Sequence, residues 1–191
     1  MMSDNYFENE SFQKINFTKT NIQKGEYDHC TFKECDFSEI HASNIQFIEC
    51  KFIDCNFSNT IVKNTAFKDV DFLNCKLLGV KFYEVDSFLL KMNFENCQLS
   101  FSSFQDLKIP NTLFENCILE EVFFGFTDLT RSNFANSDLK NAIFENTNLE
   151  KVDFRTAKNL KIDPDINRLK GAQFSIENAI GLLDKYKITI G

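Results

Sequence analysis

Residues 49–59 read ECKFIDCNFSN, and residues 29–39, twenty positions earlier, read HCTFKECDFSE. Each stretch holds two cysteines five apart, Cys50 and Cys55 in one, Cys30 and Cys35 in the other. Four thiols in two pairs invite a zinc reading, yet a phenylalanine follows two residues after each, at Phe32, Phe37, Phe52 and Phe57. Stepping by five from Phe7 meets Phe12, Phe17, Ile22, Tyr27, Phe32, Phe37, Ala42, Phe47, Phe52, Phe57, Val62, Phe67, Phe72, Leu77 and Phe82, apolar without exception. After a two-residue slip a second track runs Leu89, Phe94, Leu99, Phe104, Ile109, Phe114, Leu119, Phe124, Leu129, Phe134, Leu139, Phe144, Leu149 and Phe154. A period of five is neither the 3.6 of a helix nor the 2 of a strand.

Taking each track residue as a centre, all seven cysteines lie two positions before one: Cys30, Cys35, Cys50, Cys55, Cys75, Cys97 and Cys117. The same position elsewhere is mostly small or β-branched, as at Thr60, Thr65, Val70, Val80, Thr112, Val122, Thr127, Ser132, Ser137, Ala142, Thr147 and Val152. One bulky and one smaller inward residue per five describe a chain that turns a corner every five residues. Four corners close a square coil of twenty. Cys30 then stacks on Cys50, and Cys35, Cys55, Cys75, Cys97 and Cys117 form a longer ladder. Zinc needs four thiolates converging at about 2.3 Å from one point, and stacked rungs do not converge. The cysteines are therefore expected to be internal packing, with no metal and no cofactor.

Asp or Asn precedes many centres, at Asn16, Asn21, Asp36, Asn56, Asp71, Asn93, Asp128, Asn133, Asp138, Asn148 and Asp153. With the central Phe or Leu this resembles the pentapeptide-repeat family over about residues 5–156. The resemblance implies an all-β solenoid, a right-handed quadrilateral β-helix of about 7.5 coils. At the roughly 4.8 Å strand spacing it makes a rod of about 36 Å. The expected division is residues 1–156 for the β-helix, with the slip at 83–88, and 157–191 for a C-terminal cap and dimerisation module.

Bulk properties narrow the class. The chain has 191 residues, 23 phenylalanines, no tryptophan and a formal charge of −7. That acidity disfavours direct nucleic-acid binding. No apolar run reaches the roughly 18 residues of a membrane span, and MMSDNYFENES does not read as a signal peptide. An odd number of cysteines without a secretory signal suits a cytoplasmic protein with reduced thiols. The only histidines are His29 and His41, and no nucleophile elbow, phosphate loop or metal-ligand spacing appears; an enzyme is not expected.

Two interruptions attract attention. The slip within FYEVDSFLL is either a tolerated surface insertion or a small projection presenting Tyr83, Glu84 and Asp86. The apolar outward positions Leu78, Phe101, Ile118, Phe123 and Phe126 either mark a contact surface or fold over a corner. Past residue 157 the five-residue track fails. Ser175 is placed to cap a helix of about ten residues, with Ile176, Ala179, Ile180, Leu183 and Tyr186 on one stripe. KITIG reads as a terminal strand alternating Ile188 and Ile190. The stripe can close the open end of the solenoid, pair two chains about a twofold axis, or both.

This tail resembles that of the Qnr, MfpA and McbG branch of the family; LKIDPDINR, a helix and KITIG look most like the tail of the microcin immunity protein McbG. The resemblance implies a homodimer through Ile176, Ile180, Leu183, Tyr186, Ile188 and Ile190. It also implies a DNA-mimicking partner of type II topoisomerases, DNA gyrase chiefly and topoisomerase IV as a further candidate, that counters quinolones or a gyrase-poisoning peptide toxin. Glu120, Glu121, Asp128, Asp138, Glu145 and Asp153 are the candidate phosphate mimics. The alternative is a non-enzymatic scaffold for an unrelated cytoplasmic partner, using the Phe101, Ile118, Phe123 and Phe126 patch.

Overall fold

Two residues past nearly every centre the backbone enters the left-handed region, as at Asn9 (φ 55°), Asn44 (φ 58°), Asn59 (φ 56°) and Asn116 (φ 51°). Asn and Asp visit this region more readily than other side-chain-bearing residues, which explains their abundance at the corners. At many coils the outward Asp or Asn just before a centre braces the turn that follows. Its Oδ1 accepts the backbone N–H two residues on, from Thr18 to Asn16 (2.9 Å), Ser38 to Asp36 (3.0 Å), Thr130 to Asp128 (3.0 Å) and Arg155 to Asp153 (3.0 Å). The acidic member of the motif is thus first a turn-forming group.

In a computed structural model, whose described residues are 5–189, these corners stack the chain into a parallel β solenoid. The first face is a four-stranded parallel sheet of Tyr6–Glu8, Glu26–Asp28, Gln46–Ile48 and Ala66–Lys68. The second face has six strands, Ser11–Gln13, Thr31–Lys33, Lys51–Ile53, Val70–Leu73, Met92–Glu95 and Phe114–Glu115. Phe7 pairs with Tyr27, Tyr27 with Phe47 and Phe47 with Phe67, the expected twenty-residue register. Faces three and four are joined by single parallel bridges, such as Asn16 to Asp36 and Ser103 to Phe123.

The centres fill the core. Every one is buried or packed against it except Leu89. On the second face Phe12, Phe32, Phe52, Phe72, Phe94, Phe114, Phe134, Phe154 and Phe174 form one continuous stack, with ring centroids 4.7–5.6 Å apart. Phenylalanines on neighbouring faces meet this stack edge-on, as in Phe94–Phe104 at 5.9 Å and 79°. Offset stacking along the axis and T-shaped contacts across it are the two arrangements that aromatic quadrupoles favour. The alternation of Phe with Leu or Ile in the second half follows from this. Faces two and four supply rings, and faces one and three the smaller aliphatics that leave them room.

The smaller inward residues do more than fill space. The hydroxyl of Thr65 donates to Ala42 O (2.6 Å), that of Thr60 to Phe37 O (2.6 Å) and that of Thr147 to Phe124 O (2.8 Å). Cysteine thiols take the same route more weakly, Cys50 to Tyr27 O (3.2 Å) and Cys97 to Phe72 O (3.3 Å). All seven cysteines are buried and free, their sulfurs running along the rod instead of converging. Burial pushes the Cys50 thiol up to about 12, so it stays protonated and unreactive. Thr65→Val keeps the shape but removes the donor from a buried carbonyl. It should lower stability by about 1 kcal/mol in urea denaturation; unchanged stability would make the hydroxyl filler.

Three expectations are corrected. The twenty-residue register still holds at Asp86, which bridges Ala66, and has become twenty-two by Met92, which pairs with Val70. The inserted residues therefore lie within 87–91, later than 83–88. Leu89 is not a core centre: it sits at a left-handed corner, φ 57°, 66% exposed, while Leu90 packs against the core. At the other end the coil does not stop at 156. Lys158, Arg168 and Gln173 still bridge Asp138, Asn148 and Asp153, and Phe174 completes the aromatic stack.

Candidate functional site

The tail begins where Ser175 accepts the N–H of Asn178 (3.1 Å), capping the helix Ile176–Gly181. The helix has six residues, fewer than expected, and passes into a 3-10 turn at Asp184–Tyr186. Asn178 Nδ2 donates to the last-coil carbonyls of Phe154 and Ala157 (2.9 Å each). Phe174 and Leu182 pack against the core beside it. Closure of the rod thus falls to Asn178, Phe174 and Leu182, none of them on the apolar stripe. Lys185 binds Asp163 and Asp165, tying the tail back to the last coil.

The stripe itself faces outward. Ile176 is 83% exposed, and Ile180, Leu183, Tyr186 and Ile188 are exposed too. Residues 188–189 carry no strand, so the expected KITIG strand is absent there; Ile190 lies outside the described residues. A hydrophobic cap would have turned these side chains inward. Because Asn178, Phe174 and Leu182 close the rod, the stripe is left open in the single chain.

The candidate phosphate mimics do not share one surface. Glu120, Glu121 and Asp138 lie along the third face and its corner, Glu145 on the fourth, Asp128 on the first and Asp153 on the second. Asp128 accepts from Thr130 and Asn148, and Asp138 from Lys140 N and Asn159. Arg155 grips Asp153 through two nitrogens and holds its carboxyl below the usual range. Glu120 pairs with Lys140 at 2.6 Å. Among the described residues Glu121 and Glu145 form no ion pair and are exposed. Their places in the repeat differ: Asp128, Asp138 and Asp153 precede centres, whereas Glu121 and Glu145 follow them.

Tyr83 and Glu84 belong to a 3-10 turn, Phe82–Glu84, on the ordinary course of the rod, with Tyr83 exposed. Asp86 accepts Phe88 N (3.0 Å), so it braces the insertion. The projecting side chains are instead Phe88 and Leu89, 67% and 66% exposed. His29 is held between Asp28 (2.7 Å) and Glu49 (3.0 Å), and this pairing raises its pKa. No helix among the described residues is long and apolar enough to cross a membrane.

A parallel solenoid with square coils, centred phenylalanines and Asx-braced corners defines a repeat class. The model of the pentapeptide repeat region matches residues 25–87 and 86–154, and the chain belongs to the pentapeptide-repeat family. Its structure is similar to that of a trypsin-treated variant of QnrB1, a plasmid-mediated fluoroquinolone resistance protein, with a TM-score of 0.72 at 15% identity over 98% of this chain and 92% of that one. A second trypsin-treated QnrB1 variant gives a TM-score of 0.64 at 17% identity, covering 98% of this chain and 100% of the other. HetL of Nostoc sp. strain PCC 7120, a pentapeptide-repeat protein involved in heterocyst differentiation regulation, gives 0.64 at 11% identity over 92% and 90%. No curated protein matches the chain in sequence. At these identities the likeness concerns the fold.

Proposed function

We propose that this chain is a dimeric, non-enzymatic rod that binds a type II topoisomerase, DNA gyrase foremost, and shields it from agents that trap its cleaved-DNA complex. The observation that carries this reading is the tail. Its apolar stripe, Ile176, Ile180, Leu183, Tyr186 and Ile188, stays open while a separate set of groups closes the rod. Such a stripe suits a twofold contact that doubles the rod's length, as in the Qnr-like branch that the tail resembles. The net charge of −7 supports an acidic body that competes with DNA for a basic channel. Because Asp128, Asp138 and Asp153 are engaged in turns, the mimicry falls chiefly to Glu121 and Glu145 and to the overall field.

The test is a gyrase supercoiling assay with a quinolone present, titrating in the purified protein. Supercoiling should return at low protein concentration and be inhibited at higher concentration. Both effects should weaken steeply as salt rises, since a charge-based contact is screened within about 8 Å at physiological ionic strength. Neither rescue nor inhibition at any ratio, with a quinolone or a gyrase-targeting peptide toxin, would overturn the reading.

A further inference from the structure

Three consecutive coils cross the fourth face as FSSFQD (101–106), EVFFGF (121–126) and NAIFEN (141–146). On that face the outward column before the centres runs His41, Ile61, Lys81 and Ser103, of mixed character, up to the last two of these coils. Here it holds Phe123 and Ile143, paired as neighbours on adjacent coils. Phe101 and Phe126 stand at the two edges, 61% and 53% exposed. Charge in these eighteen residues is of one sign: Asp106, Glu121 and Glu145, with no lysine, arginine or histidine.

Two backbone features show that the patch is built at some cost. Phe101 and Phe126 adopt φ of 64° and 59°. Among the described residues every other non-glycine left-handed corner is polar or charged, Leu89 excepted. A bulky aromatic there is strained, whereas asparagine at the equivalent corners is at ease. Gly125 lies beneath the Phe123 ring, where a Cβ would come within 2.4 Å of it. The glycine lets the ring lie flat across the face, so the aromatic surface is held in place instead of splaying into water.

We propose that this face is a docking surface for a partner segment that is amphipathic and basic, its apolar side chains seated between Phe101, Phe123, Phe126 and Ile143. Its lysines or arginines meet Glu121, Glu145 and Asp106 at the rim. The commitment to a basic partner follows from the excess of acid: the three carboxylates of the patch outnumber the adjoining cations, Lys140, already paired with Glu120, and Lys81 on the coil before. The apolar centre supplies affinity by exclusion of water and the rim supplies discrimination. This goes beyond the topoisomerase reading: it shares Glu121 and Glu145 with it, but rests on the aromatic face and is tested without gyrase.

The probe is a fluorescein-labelled synthetic helix with leucine on one face and lysine on the other. Its controls are the same helix with glutamate for lysine and a scrambled, non-amphipathic peptide of the first composition. Fluorescence anisotropy should show binding of the lysine helix alone. The double variant Phe101→Asn, Phe126→Asn, which puts the residue preferred at these corners into both, should melt no lower than the parent and bind at least about tenfold more weakly. Glu121→Lys with Glu145→Lys should transfer preference to the glutamate helix. Equal binding of the scrambled peptide, or binding indifferent to the asparagine variant, would overturn the proposal. So would sedimentation showing that the same variant abolishes self-association, because a second copy would then be the occupant.

Discussion

Replacing Phe114 by alanine is expected to destabilise the rod by about 3–5 kcal/mol, the range for deleting a buried aromatic from a core that cannot collapse. Phe114 is fully buried, stacked on Phe94 at 5.2 Å and Phe134 at 4.8 Å. It also meets Phe104 and Phe124 edge-on, at 5.8 Å each. Its removal opens a gap that backbone ladders on both sides prevent from closing, because each coil is pinned to its neighbours at a fixed spacing. A solenoid cannot redistribute the loss over a shared core; the lesion falls on one coil and its two interfaces. The urea midpoint and slope measure it, and a loss below about 1 kcal/mol would mean that Phe114 does not occupy the axial stack.

Ile180→Asp is expected to convert a dimer into monomers in sedimentation. If the tail stripe is the seam, the substitution places an unpaired carboxylate in a buried apolar contact, at a cost of at least about 3 kcal/mol, more than a hundredfold in affinity. The monomer should remain folded, because Ile180 is exposed in the single chain and closure of the rod rests on Asn178, Phe174 and Leu182. Ile176→Asp provides the control for helix damage: an acid in the first helical turn favours the helix, yet it too should disperse the dimer. A dimer that survives both variants would assign the seam elsewhere.

Most of the fold was legible in the sequence because its period is short and its inward positions are chemically narrow. Two apolar tracks, one ring-rich, specified the faces, the register and the stacking of the cysteines. Details set by local geometry were less accessible. Leu89 and Leu90 are equally apolar, and only the placement of the extra residues decides that the second turns inward. The last coil was missed because residues 157–174 lose the five-residue apolar beat at Asn159 and Pro164 while keeping its geometry through Lys158, Arg168 and Gln173. Candidate site residues were harder still. A carboxylate before a centre is indistinguishable in sequence whether it braces a turn, as Asp128 does, or meets solvent, and the exposed tail stripe has the same spacing as a buried one. The patch was half visible: Phe101, Ile118, Phe123 and Phe126 were legible as outward apolar residues, but not the strained corners or the glycine beneath the ring.

The buried thiols have a use to the experimenter that owes nothing to their role in packing. They run from Cys30 to Cys117, two on each of two coils and one on each of the next three, and none is reachable while its coil is closed. A rod held together by nearest neighbours can fray from its ends before it melts as a whole. Each cysteine is then a timestamp. Brief alkylation at rising denaturant, read by mass for each peptide, would chart the order in which the coils come apart.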